Sequence, residues 1–114
     1  MKCSNLDVWK LAIELSIEIY KYFADCKDYG FKDQITRCSL SIPSNIAEGM
    51  EKMSLKDQIR FLDISKGSSA ELITQTTIGM AIGYIDDIGN KWIVKAEHIL
   101  SMLTKLQRYL SDKN

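Results

Sequence analysis

A chain of 114 residues, 46% apolar and 26% charged, has the material for one hydrophobic core and is too short for two well-packed domains. Its 15 basic and 15 acidic residues cancel to zero net charge at a pI of about 6.6, which excludes the global positive field behind non-specific nucleic-acid binding and leaves only local patches. The opening Met1-Lys2-Cys3-Ser4-Asn5 lacks a secretory apolar segment, and the longest uncharged run, 14 residues between Glu71 and Asp86, is too short to span a bilayer; a cytoplasmic location without a membrane role is expected.

Helical periodicity recurs in every segment, strand-like alternation is absent and a single proline interrupts the chain, so an all-α fold is expected. Helix one starts near Ser4 or Asn5, where Ser4 and Asp7 have capping-box spacing, and runs to about Asp25 before the turn Lys27-Asp28-Tyr29-Gly30. Helix two covers about Phe31 to Met53, supported by the i,i+4 pairs Asp33–Arg37 and Glu48–Lys52. Pro43 in its middle deletes a backbone hydrogen bond and predicts a kink. Ser54 and Asp57 cap helix three, which reaches about Ile85; Asn90 caps helix four, which continues to about Ser111. Short connections between long helices imply antiparallel neighbours, hence an antiparallel up-down four-helix bundle forming a single domain.

Helix one carries two apolar stripes. Leu6, Trp9, Ile13, Ser16, Tyr20 and Phe23 are spaced alternately three and four apart and are assigned to the bundle core. Val8, Leu11, Leu15, Ile19 and Tyr22, with Ala12, form the second stripe, which exceeds what one bundle corner needs and predicts an interface with another copy of the chain. Helix four has one seam, Trp92, Ala96, Ile99, Leu103, Leu106 and Leu110, and opposite it Lys91, Lys95, His98, Lys105 and Arg108 beside Tyr109. That side is the chain's best basic-plus-aromatic patch for RNA, although solvated helix faces are routinely basic and Glu97 and Asp112 dilute it.

Small residues collect where helices two and three face each other: Ser39, Ser41, Ser44, Ala47 and Gly49 against Ser65, Gly67, Ser68, Ser69 and Ala70. Glycine within a helix costs about 1 kcal/mol relative to alanine, so Gly67, Gly79 and Gly83 call for a packing reason or a kink. Asn45, Glu48 and Glu71 project from the same region and are expected to join Ser41 and Ser68 in a partly buried polar network. Such a network either fixes helix register or, with two carboxylates, performs acid–base or metal chemistry; register is the favoured reading. No Glu-x-x-His pair, phosphate-cradling glycine loop or nucleophile elbow is present, and no cofactor, metal or small-molecule substrate is indicated. Cys3, Cys26 and Cys38 fit no metal or redox spacing and read as thiols, with Cys38 a small core residue.

The run Ser41-Ile42-Pro43-Ser44-Asn45-Ile46-Ala47-Glu48-Gly49, preceded by Gln34-Ile35-Thr36-Arg37 and followed by Phe61-Leu62, Gly67-Ser68 and Glu71-Leu72, resembles the bacterial four-helix-bundle family of 23S rRNA-intervening-sequence proteins. Leu6-Asp7-Val8-Trp9-Lys10 and the Tyr29-Gly30 turn are also similar to that family, so the likeness covers nearly the whole chain. The resemblance implies a non-enzymatic bundle that assembles into a homopentamer. A related branch, the accessory protein of diversity-generating retroelements, is strongly basic and binds nucleic acid. The neutral balance here departs from that branch, and Cys38 stands where the family commonly has a second arginine.

Overall fold

The computed structural model describes residues 1–113 and consists of four helices: α1 Asp7–Tyr22, α2 Tyr29–Met50, α3 Leu55–Ala81 and α4 Ile88–Lys113. Each helix packs on the next and α4 returns to α1, so the four surround one core in a body of 46 × 21 × 20 Å. Leu15 and Ile19 of α1, Ile35, Ile42 and Ile46 of α2, Leu62 and Leu72 of α3, and Trp92, Ile99 and Leu103 of α4 are fully buried there. Burying each such side chain stabilises the fold by about 1.5–3 kcal/mol. The seam expected on α4 lies inward, with Leu106 half-buried at its edge.

The helix ends have local causes. Ser54 accepts a hydrogen bond from the Asp57 amide at 3.2 Å, the cap expected for α3. Ser4 caps nothing: Leu6 precedes α1, and residues 1–6 turn so that Cys3 is buried. α2 starts two residues before the expected Phe31, because Asp28 accepts from the Phe31 amide at 3.1 Å, and it ends at Met50 rather than Met53. α3 ends at Ala81 rather than Ile85 because Gly83 takes a φ of +84°, a left-handed conformation that a side chain would strain. The Tyr84 and Ile85 amides then turn back to the Gly79 carbonyl at 2.8 and 3.1 Å. α4 begins at Ile88, whose amide is held by the Asp86 carboxylate at 2.9 Å, so Asn90 lies inside the helix rather than capping it.

α2 and α3 approach closely through small side chains. Ser65 donates to the Ile42 carbonyl at 2.7 Å, and the Ser41 and Ser68 hydroxyls lie 2.8 Å apart. A Cβ on Gly49 would sit 3.1 Å from the Phe61 Cβ and 3.3 Å from the Gln58 carbonyl, so glycine permits this crossing. Pro43 lies inside α2 and is buried, without ending the helix. At the opposite end of the bundle an aromatic cluster closes the turns: Tyr22 meets Trp92 edge-on at 5.1 Å, and Phe31 meets Tyr84 at 5.2 Å. Tyr84 donates to Asp28 at 2.8 Å, tying the loop after α3 to the loop before α2.

Candidate functional site

The rotation of α1 decides which of its two apolar stripes reaches solvent. On one flank Glu18 accepts hydrogen bonds from the Trp92 indole and, at 3.2 Å, from Lys95 of α4. On the other, the Ser16 hydroxyl meets that of Ser39 of α2 at 3.0 Å. Held at both flanks, α1 points Val8, Ala12, Leu15 and Ile19 into the core. This corrects the expected interface: Val8, Leu15 and Ile19 are buried within the chain, Leu11 packs half-buried against the core, and Tyr22 leans on Trp92 and Phe23. The stripe assigned to the core is the more exposed one: only its Ser16 and Phe23 are buried, Trp9 and Ile13 are half-buried, and Tyr20 is exposed.

An apolar seam therefore opens between α1 and α2. Trp9, Ile13 and Ile17 line one wall, and Leu40, Pro43 and Ala47 the other, around about 300 Å³. Ile17 is 49% exposed and Leu40 48%. The floor is low because Ser44 and Ala47 are small. A separate depression of about 680 Å³ is lined by Tyr20 of α1 and by Tyr29, Thr36 and Arg37 of α2. Sequence periodicity missed Ile17 and Leu40, since neither falls on a stripe. Their signal was an isoleucine set among Glu14, Glu18 and Lys21, and a leucine on the same helical face as Arg37 and Ser44.

The polar centre is smaller than expected. Asn45 donates to the Ser41 carbonyl at 2.8 Å and to its hydroxyl at 3.0 Å, and Ser41 meets Ser68, so these three form a network across α2 and α3. The carboxylates stand outside it: Glu48 is exposed and paired with Lys52 at 3.4 Å, and Glu71 is exposed at the rim. Glu48 shares the helical face of Ser41 and Asn45 but lies further along α2, where it is exposed and pairs with Lys52 instead of joining Ser68. No cluster of three or more His, Cys, Asp or Glu side chains suited to a metal occurs among the described residues. Cys38 donates to the Ser68 carbonyl at 3.1 Å; burial, with the nearby Glu71 charge, pushes its thiol up to about 12, so it is protonated at neutral pH and a poor nucleophile.

Of the basic residues on α4, Lys95 is engaged with Glu18, and Lys91 adds its charge to the same carboxylate. Lys105 and Arg108 are exposed on the outer face, with Asp112 one turn beyond Arg108 and Glu97 nearer Lys95. The patch is split between an internal role at one end and a mixed-charge face at the other. No helix of the described residues is long and apolar enough to cross a membrane.

What the geometry defines is an all-helical bundle with an apolar seam left open between two of its helices. The chain belongs to the 23S rRNA-intervening sequence protein family, whose model matches residues 4–105. Among solved structures it is similar to a protein of unknown function from the S23 ribosomal protein family of Bacteroides thetaiotaomicron, with a TM-score of 0.81 and 23% identity over 88% of this chain and 97% of that one. At that identity the likeness speaks for the fold. No curated protein matches the chain.

Proposed function

We propose that this chain is a non-enzymatic cytoplasmic module that works by associating with copies of itself, burying the α1–α2 seam. The observation that carries the reading is the seam: tryptophan, leucine and isoleucine side chains line a concave strip on which Ile17 and Leu40 are left exposed. In an antiparallel up-down bundle, with α2 bent at Pro43, the strip presents a continuous wall along two helices. The homopentamer implied by the family resemblance is the specific expectation. Light scattering tests it: at roughly 50 µM, where weak oligomers assemble, the mass should be five copies of 13.0 kDa. A particle of one chain at every concentration would overturn the reading.

A further inference from the structure

The outer face of α3 is unusual in two ways, and a third observation fits its being covered. From Thr74 to Ile82 its exposed positions, Thr74, Thr77, Ile78, Ala81 and Ile82, carry no charge, whereas the outer face of α4 carries Lys91, Glu97, Lys105, Arg108 and Asp112. Solvated helix faces are normally kept charged. Second, Gly67 sits in the middle of α3 with nothing within 4 Å of where a Cβ would project. Gly49 and Gly79 have neighbours that demand glycine; Gly67 weakens its helix with no return inside the chain. Third, the Thr74 hydroxyl donates to the Ala70 carbonyl at 3.1 Å and that of Thr77 to the Ile73 carbonyl at 2.8 Å. Both threonines thus spend their donors on their own helix, and covering the face strands no hydroxyl donor.

We propose that the α3 face from Gly67 to Ile82 is what fills the α1–α2 seam of a second copy, so that unlike surfaces meet. This deepens the self-association reading and rests on it. The α3 face offers small side chains at Gly67, Ala70, Thr74, Thr77 and Ala81 and exposed apolar ones at Ile78 and Ile82, and the seam is a concave strip walled by Trp9, Ile17 and Leu40. A concave strip laid on its own copy would leave a void, while a smooth helix entering it brings backbones close, and Gly67 then has its reason. Charge agrees. Glu71 is the one carboxylate on the face between Gly67 and Ile82, and the exposed row of α1 beside the seam carries Lys10, Glu14 and Lys21, in which lysines outnumber carboxylates. The seam belongs to α1 and α2 and the face to α3, so one copy can use both at once, and such head-to-tail contacts close a ring or extend a filament.

Complementation between two variants tests this. Gly67→Gln alters only the α3 face and puts a better helix former at an exposed position, so the fold is retained; Ile17→Glu with Leu40→Glu alters only exposed seam positions. Each variant alone should need at least ten times the wild-type concentration for half-assembly in sedimentation velocity, with unchanged far-UV circular dichroism. Mixed one to one, they should form a two-chain species and nothing larger, since one intact α3 face meets one intact seam and both remaining surfaces are blocked. Wild-type-like assembly of Gly67→Gln, or a mixture that stays single-chain while wild type assembles, would overturn the inference and leave self-association standing. A single-chain wild type would overturn self-association itself.

Discussion

At the scale of single residues, Glu18 fixes the orientation on which the seam depends. Partial burial works against its charge, but the hydrogen bonds from Trp92 and Lys95, together with the charges of Lys95 and Lys91, outweigh it and hold the carboxyl below its usual value of 4.5. A carboxylate with a lowered native pKa contributes stability that is complete above the unfolded value, and that contribution is lost as pH falls through the native one. Glu18 should therefore help hold α1 to α4 throughout neutral pH and cease to do so only below about pH 4.5. Its side chain is 39% exposed, so solvent screens the pair and the contribution is about 1 kcal/mol. Glu18→Gln is expected to lower the unfolding free energy from urea titration at pH 7 by that amount and to cost less at pH 3. An equal loss at both pH values would show that shape, and not charge, holds α1.

At the scale of elements, the turn after α3 depends on a glycine used for close packing. Ile85 folds back beneath α3, and a Cβ on Gly79 would run into its side chain and lie 3.0 Å from the Phe31 ring. Gly79→Ala gains helix propensity, about 1 kcal/mol, but overpacks a site that has backbone turns on both sides; the net expectation is a loss of about 1–2 kcal/mol in thermal or urea unfolding. An increase in stability would mean that Ile85 can be displaced at little cost. How far the sequence revealed these elements follows from the range of the forces involved. Four helices, the α4 seam and the Ser54 cap were readable because periodicity and capping act within a few residues. The end of α3 was misplaced because Gly83 reads as one more helical small residue until its φ is known. The two stripes of α1 were exchanged because both are apolar, and the choice is made by Glu18 and Ser16 contacting residues 74 and 23 positions away. The polar centre was half legible for the same reason: Ser41, Asn45 and Ser68 meet, while Glu48 and Glu71 share their neighbourhood in sequence but face solvent.

At the scale of the whole molecule, zero net charge and apolar surfaces together bear on the proposed association of copies. A neutral chain meets little long-range repulsion from its own kind, and little attraction to a polyanion. If the surfaces that meet are the α1–α2 seam and the uncharged face of α3, the driving force is removal of apolar area from water, with Glu71 and the lysines of α1 contributing only at the rim. Salt then has a characteristic effect. Raising sodium chloride from about 50 to 500 mM shortens the screening length from roughly 14 to 4 Å and should change the self-dissociation constant by less than about threefold. Ammonium sulfate, which is excluded from protein surface, should tighten the assembly instead. An assembly in which Lys91, Lys105 and Arg108 hold bound RNA would loosen steeply over the same range, by roughly five- to eightfold for each phosphate that they neutralise. Pairing of those residues with acidic groups of another copy would weaken in the same direction as screening increases. Sedimentation across both salt series separates the apolar case from the ionic ones, and steep weakening in sodium chloride would move the interface from the α1–α2 seam to the basic face of α4.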